Sequence, residues 1–169
     1  MNRIIINGRA GAGKDVIADY LVEEHGYVKV SFAEGIYKIA RELFGMTTKD
    51  RELLIAIGQK MREIDPDVWV YSTFQRAVKH DKVVISDCRQ ANEYITGKSL
   101  GFFPVRVSSD WEIRRERLRK RDGVEPDMEL LESKGETGAD NFEYYEIENN
   151  SSFEDLYKKI DEMILNGRD

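Results

Sequence analysis

The 169-residue sequence has little of the chemistry that marks several classes of protein. Its only cysteine is Cys88, which excludes an internal disulfide and fits a reducing cytosol. The two histidines, His25 and His80, have no partners at metal-ligand spacing, so a zinc site is not supported. The chain has no apolar run of membrane-spanning length and no signal-peptide core at its N-terminus. These absences predict a cytoplasmic protein that does not associate with membranes.

The charge balance further limits the classes of protein to which this chain could belong. The net charge is -6, which argues against a protein that binds nucleic acid through its whole surface. Charged residues make up 34% of the chain and aromatic residues 10%, as in a soluble globular enzyme rather than a disordered chain. A chain of this length forms one ordinary domain with its own core. We therefore expect a single domain over residues 1–169.

Short apolar runs alternate with amphipathic helical patterns along the chain. The runs that we predict as strands are residues 4–6, 28–31, 83–87, 102–107 and 144–147. This alternation predicts a parallel sheet with helices on both faces, a three-layer α/β/α fold. Ligands of such sheets bind beyond the carboxyl ends of the strands. The polar residues expected to cluster there are Asn7, Ser31, Asp87 and Ser108.

A glycine-rich segment follows the first apolar run directly. Residues 8–15 read Gly-Arg-Ala-Gly-Ala-Gly-Lys-Asp, which has the glycine and lysine spacing of a phosphate-binding P-loop. The glycines let the backbone curl so that its N–H groups hold phosphate oxygens, and the next helix presents its N-terminus to the same anion. Lys14 would add a positive charge at the β and γ phosphates. The segment therefore predicts a nucleotide phosphate site.

Two carboxylates are candidates for holding Mg²⁺ at this site. Asp87 closes an apolar strand, as the acidic residue of a Walker B strand does, and can bind Mg²⁺ directly or through water. Asp15 stands where a P-loop usually has Ser or Thr, and its charge beside the phosphates requires a cation between them. The alternatives are that Asp87 caps the turn into the next helix and that Asp15 serves the helix macrodipole.

Five further segments occur in an order and spacing that carry a family resemblance. They are Ser31-Phe32-Ala33, Ile57 to Arg62 leading into Asp65 to Val70, Ser86 to Glu93 with the pattern Asp-x-Arg-x3-Glu, Gly135-Glu136-Thr137, and Ile147 to Asn150. Together with the Gly-Lys-Asp ending of the loop, they resemble the phage-type deoxynucleoside monophosphate kinases of the P-loop kinase superfamily. The resemblance spans most of the chain.

The resemblance implies a P-loop fold with a five-stranded parallel sheet, an acceptor-binding region at about residues 32–75 and a lid at about residues 111–140. It also implies Mg²⁺-dependent transfer of the γ-phosphoryl group of ATP to a (deoxy)nucleoside monophosphate. Such transfer needs alignment and charge neutralisation on both phosphates. The ATP-binding residues would be Gly8, Arg9, Ala10, Gly11, Ala12, Gly13, Lys14, Asp15 and Val16. The catalytic residues would be Lys14, Asp15, Asp87, Arg89, Arg114 and Arg117.

Cations should line the acceptor site. Arg62 and Arg89 lie at family-matched positions, and each can bind an acceptor phosphate through two hydrogen bonds. Lys38 and Arg41 lie in the same region, with a solvated helix face as the alternative. Trp69 offers an aromatic surface for the base, although core packing is the more frequent role of such a residue.

The segment from residue 111 to residue 122 is the lid candidate. It is predicted to be helical and is almost entirely charged. Arg114, Arg117 and Arg121 fall on one helical face, which could close over ATP. A basic run that is merely solvated is the alternative.

Other functions stay open at this point. One type of phosphomevalonate kinase also resembles the Gly-Lys-Asp ending, so a P-loop kinase for a phosphomevalonate-type or dephospho-coenzyme A-type acceptor is an alternative. A non-catalytic ATP-binding regulatory protein is another. A GTPase would carry an Asn-Lys-x-Asp motif, which this chain lacks. The expected partners are small-molecule nucleotides and not nucleic acid, with a monomer and a homodimer both possible.

Overall fold

A five-stranded parallel sheet forms the centre of the structure, a computed structural model that describes residues 1–131 and 138–167. The strands are β1 (Arg3–Asn7), β2 (Val28–Val30), β3 (Val83–Cys88), β4 (Phe103–Ser108) and β5 (Tyr145–Glu148). Their order is β2-β3-β1-β4-β5, and every neighbouring pair is parallel. The predicted five-stranded parallel sheet is therefore confirmed.

Helices connect the strands and extend the chain at its C-terminus. They are α1 (Lys14–His25), α2 (Ala33–Phe44), α3 (Arg51–Ile64), α4 (Val68–Ala77), α5 (Ala91–Ser99), α6 (Trp111–Asp122), α7 (Met128–Leu131) and α8 (Phe153–Asn166). Within the described ranges, every helix is too short or too polar to span a bilayer.

Apolar side chains cover both faces of the sheet. In β1, Ile4 and Ile6 point to one face and Ile5 points to the other, and all three are fully buried. The helices α1 and α8 pack on the first face through Ile17, Leu21, Leu156 and Ile160. The helices α4 and α5 pack on the second face through Val70, Phe74 and Tyr94. This packing gives the predicted three-layer α/β/α arrangement.

The helices α2, α3 and α4 lie between β2 and β3 in the chain and form a smaller core of their own. Its buried members are Ala40, Ile57 and Trp69, with Ile36, Leu53 and Met61 packed against them. This helical segment corresponds to the region that the sequence predicts to bind the acceptor.

The central position of β1 determines where a ligand site can form. The connection from β1 to β2 runs toward one edge of the sheet, and the connection from β3 to β4 runs toward the opposite edge. The direction in which the chain is wound therefore reverses at β1. Parallel sheets bind ligands in the crevice at such a reversal, beyond the carboxyl ends of the strands. The glycine-rich loop follows β1 at this end.

Candidate active site

The loop between β1 and α1 curls at glycines where a side chain would be strained and would meet a close neighbour. Gly8 has a φ of 149° and Gly13 a φ of 107°, values that residues with a side chain rarely adopt. A Cβ atom added at Gly8 would lie 2.4 Å from the carbonyl oxygen of Val107, and one at Gly13 would lie 2.3 Å from Nδ2 of Asn149. The loop is therefore pressed against β4 and against the residue that follows β5.

Lys14 folds back over the opening of this loop. Its Nζ donates to the carbonyl oxygens of Gly8 at 2.6 Å and Arg9 at 3.1 Å. The ammonium group therefore lies against the start of the loop, although Lys14 itself is the first residue of α1. Binding of phosphate by Lys14 stays a prediction.

Asp15 is an exposed carboxylate whose charge is balanced by Lys29 on β2. Its Oδ1 accepts a hydrogen bond from Nζ of Lys29 at 2.9 Å and one from the hydroxyl group of Ser86 at 3.4 Å. Partial burial alone would raise the pKa of Asp15, but the bonds from Lys29 and Ser86 and the charges of Lys29 and Lys14 outweigh it and lower the pKa. Asp15 is therefore ionised at neutral pH.

Asp87 joins the end of β3 to the start of α2. Its Oδ2 accepts hydrogen bonds from the hydroxyl group of Ser31 at 2.7 Å and from N–H of Ala33 at 3.0 Å, and its Oδ1 accepts one from N–H of Phe32 at 2.9 Å. Asp87 thus caps α2, whereas the next helix, α5, is capped by Gln90 and Glu93. The predicted clustering of Ser31 with Asp87 is confirmed.

The carboxylates at this end of the sheet fit a Mg²⁺ ion that is shared with phosphate. Mg²⁺ is usually bound by one or two carboxylates together with phosphate oxygens and water. Asp15 has 77% of its side chain exposed, and its partner Ser86 immediately precedes Asp87. Three or more His, Cys, Asp or Glu side chains are nowhere grouped to hold a metal in residues 1–131 and 138–167. Asp15 thus offers an exposed carboxylate to a cation, while both carboxylate oxygens of Asp87 accept hydrogen bonds within the fold.

In the region predicted to bind the acceptor, the side chain of Arg62 and the main chain of Arg89 both contact the buried carboxylate of Glu93. The guanidinium group of Arg62 lies 3.9 Å from Oε1 of Glu93, whose Oε2 accepts hydrogen bonds from N–H of Arg89 at 2.7 Å and Gln90 at 2.9 Å. Burial, with a smaller contribution from Asp87, raises the pKa of Glu93 to about 7 against the opposing effects of these donors and Arg62. The side chain of Arg89 is exposed.

The other predicted acceptor residues are placed differently. Lys38 and Arg41 are exposed on α2, and the Arg41 guanidinium lies 5.4 Å from the centre of the Tyr37 ring. Trp69 is only 4% exposed, and its indole N–H donates to the carbonyl oxygen of Gly58 at 3.2 Å. Trp69 therefore packs α2 against α3 and α4 and offers little surface to a nucleobase. Its role in the structure is core packing, the alternative to base binding.

The arginine helix α6 lies against the P-loop. Arg114 is buried, and its NH1 lies 3.5 Å from the carbonyl oxygen of Ala10. Arg117 donates to the carbonyl oxygens of Gly11 at 3.4 Å and Asn149 at 3.1 Å. Part of the predicted lid, including Gly135, Glu136 and Thr137, lies outside the described residues. The described part of the lid candidate thus contacts the loop backbone itself.

A cavity of about 380 Å³ opens beside the loop at the carboxyl ends of β1 and β4. Its lining includes Asn7 and Ser108, two of the residues that were predicted to cluster, and also Arg9, Arg106 and Arg114. The amide of Asn7 is buried and bridges two strands, because Nδ2 donates to the carbonyl oxygen of Cys88 at 3.0 Å and Oδ1 accepts from Arg106 at 3.3 Å. The cavity therefore has a cationic wall.

Three residues at the candidate site are not predicted from the sequence, namely Arg106, Asp140 and Lys29. The carboxylate of Asp140 pairs with Arg9 at 2.6 Å, and its carbonyl oxygen accepts from Arg106 at 2.7 Å. One signal could have found two of them, since Arg106 and Lys29 are charged residues inside short strands, each flanked by valines. Asp140 carries no such signal.

Comparison with known proteins agrees with this architecture. The family model described as AAA domain matches residues 4–150. The shikimate kinase of Acinetobacter baumannii, solved with shikimate, shares the fold with a TM-score of 0.67 and 19% identity over 99% of this chain and 95% of that one. A gluconokinase of Sinorhizobium meliloti 1021 does so with a TM-score of 0.61 and 14% identity over 99% and 98% of the two chains. At these identities the likeness shows a common fold.

One curated relative is similar in sequence over part of the chain. The uncharacterized protein ORF76 of Ictalurid herpesvirus 1 (strain Auburn) is 33% identical over 89 residues. The match covers 48% of this chain and 37% of that relative, so this chain spans less than half of its length.

Proposed function

The chain belongs to the AAA domain family, and we propose that it is a kinase that transfers the γ-phosphoryl group of ATP to a (deoxy)nucleoside monophosphate. One observation carries this proposal. The helices between β2 and β3 place Arg62 beside Glu93 and the backbone of Arg89, next to the strand that pairs with β1 and its P-loop. We take Arg62 and Arg89 as the candidates for a second phosphate site, which transfer between two phosphates requires.

The residues of the chain would divide the work of the transfer. The loop and Lys14 bind the β and γ phosphates, and Arg62 and Arg89 hold the acceptor phosphate in line. An acceptor phosphate oxygen attacks the γ phosphorus, the bond from that phosphorus to the β–γ bridging oxygen breaks, and ADP leaves. Asp15 and Asp87 would hold Mg²⁺, which would neutralise the phosphate charges when bound.

Acceptor identity is tested by measuring ADP formation from ATP and Mg²⁺ with a panel of candidate acceptors. The panel contains ribo- and deoxynucleoside monophosphates together with dephospho-coenzyme A and phosphomevalonate. We expect turnover that depends on a nucleoside monophosphate. Turnover with another acceptor and none with any monophosphate would overturn the proposal.

A kinase for a small hydroxylated acceptor is the second candidate. Two observations favour it, namely the fold shared with a gluconokinase and a shikimate kinase and the burial of Trp69, the aromatic side chain expected to contact a base. Gluconate and shikimate therefore belong in the panel. ATP binding without ADP formation from any acceptor would instead indicate a regulatory ATP-binding protein.

A further inference from the structure

Asn149 holds the rear of the P-loop, which we define as the side that faces α6 and the end of β5. Its Nδ2 donates to the carbonyl oxygen of Ala12 at 2.8 Å. Asn149 is only 5% exposed, and its own N–H donates to the carbonyl oxygen of Ser108 at 2.8 Å, at the end of β4. The amide that contacts the loop is therefore fixed by the sheet.

The contact determines the direction of one peptide unit in the loop. In a trans peptide unit, the carbonyl group and the following N–H point in opposite directions. When Asn149 binds the carbonyl oxygen of Ala12 at the rear, the N–H of Gly13 must point to the opposite side. That side is where a P-loop presents its N–H groups to phosphate oxygens. Asn149 also lies so close to Gly13 that a side chain there would collide with it.

Arg117 makes the same kind of contact one residue earlier in the loop. Its NH1 donates to the carbonyl oxygen of Gly11 at 3.4 Å and to the hydroxyl group of Ser109 at 3.2 Å. Its NH2 donates to the main-chain oxygen of Asn149 at 3.1 Å and approaches its side-chain oxygen at 3.4 Å. Arg117 and Asn149 are thus bonded to each other and to consecutive loop carbonyl groups.

We infer that Asn149 and Arg117 are positioning residues of the phosphate-binding loop, which act on ATP through the loop backbone without touching the nucleotide. The inference rests on the proposed function only in taking ATP as the ligand of the loop. The sequence predicts Arg117 to be a catalytic residue, whereas the inference makes it a positioning residue. The inference also gives Asn149 a role in the site.

The sharpest test replaces the donor of Asn149 with an acceptor of nearly the same size. In Asn149→Asp a carboxylate faces the carbonyl oxygen of Ala12, so the loop must move away from it. Asn150→Asp is the matched control, because it adds the same charge one residue later. The Asn150 side chain contacts N–H of Asp110 and the carboxylate of Glu148, and not the loop.

Calorimetric titration with ATP and Mg²⁺ gives the affinity, and steady-state kinetics give the KM of the acceptor. We expect the Kd for ATP to rise about tenfold in Asn149→Asp, as for the loss of one buried hydrogen bond. The KM of the acceptor should stay within about twofold of the wild-type value, as should both constants in Asn150→Asp. A general loss of structure would change both constants and lower the melting temperature.

Unchanged ATP affinity in Asn149→Asp overturns the inference. If that variant does not fold, Arg117→Met decides, because it removes the donors to Gly11 and Asn149 and keeps the apolar stem. ATP affinity equal to that of the wild type in Arg117→Met again overturns it. Wild-type protein that binds ATP but phosphorylates no acceptor contradicts the proposed kinase, while the affinities of the variants still test the loop contacts.

Discussion

At the scale of single residues, Asp15 at the end of the P-loop is balanced in charge by Lys29. Lys29 lies on β2, and its Nζ contacts the carboxylates of both Asp15 and Asp19 at 2.9 Å. Burial by itself lowers the pKa of Lys29, but these two carboxylates raise it above its usual value. The lysine thus remains charged and supplies part of the neutralisation that a divalent cation would complete.

The variant Asp15→Asn tests the metal role of Asp15. We expect it to raise the Mg²⁺ concentration at half-maximal rate by about tenfold, because a charged oxygen ligand is lost. Mg²⁺ titration of the initial rate measures this shift. Asp19→Asn is the control, since it removes the other carboxylate that contacts Lys29. The same Mg²⁺ dependence in Asp15→Asn and wild type would remove Asp15 from the metal site.

Lys14→Ala should abolish most of the transfer. We expect kcat to fall by about 100-fold or more, because the charge that faces the transferring phosphoryl group is lost. Thermal melting should show a protein that still folds, although the bonds from Lys14 to Gly8 and Arg9 are gone. Lys60→Ala, at an exposed ion pair with Glu63 on α3, controls for the loss of a positive charge. Near-normal turnover in Lys14→Ala would contradict a mechanism in which the P-loop lysine assists the transfer.

Glu93 should make stability depend on pH. Its pKa of about 7 lies above the ordinary value of 4.5, so the folded protein binds this proton more tightly than the unfolded chain. Its contribution to stability is therefore complete below pH 4.5 and is lost as the pH rises through 7. Relative to Glu93→Gln, the wild-type free energy of unfolding should fall by roughly 2–3 kcal/mol across this window. Urea unfolding at several pH values checks it, and parallel pH profiles of the two proteins would contradict it.

At the scale of elements, α5 begins just after β3, the strand that pairs with β1. Arg89 lies between β3 and α5, and its N–H binds Glu93 of that helix. We expect Arg89→Ala to raise the KM of the acceptor by about tenfold or more and that of ATP much less, because a charge-assisted phosphate contact is lost. Lys98→Ala, in the exposed last turn of α5, is the control. Equal effects on both substrates would argue against an acceptor role.

The elements show why the fold was easier to predict than the site. Strands buried on both faces must be continuous apolar runs, so β1 and β3 were evident in the sequence. Helix starts are less certain, because the sequence predicts Thr48 as the N-cap of α3, whereas the structure uses Asp50, which is equally suited by residue type. The bonds of Arg117 to Gly11 and Asn149 join three distant segments, and no local pattern predicts which carbonyl groups an arginine will reach.

At the scale of the whole molecule, stability depends on the apolar contacts across the sheet. Ile85 lies in β3 and is fully buried in the cluster under α4 and α5. Ile85→Ala should lower the free energy of unfolding by about 2–5 kcal/mol, through lost burial and the cavity that remains. Ile95→Ala, at a side chain that is 56% exposed on α5, should change it by about 0.5 kcal/mol or less. Denaturant unfolding compares the two, and equal losses would contradict this description of the core.

The strand order also has a consequence in time. During translation, residues 3–7 leave the ribosome long before residues 83–88 and 103–108, which are the strands that flank them in the sheet. The isoleucine run of β1 therefore lacks its native strand partners until β3 and β4 have been synthesised. Pairing between such distant segments is slow, and exposed apolar strands aggregate. We therefore expect misassembly of the nascent chain to be most frequent before β4 emerges.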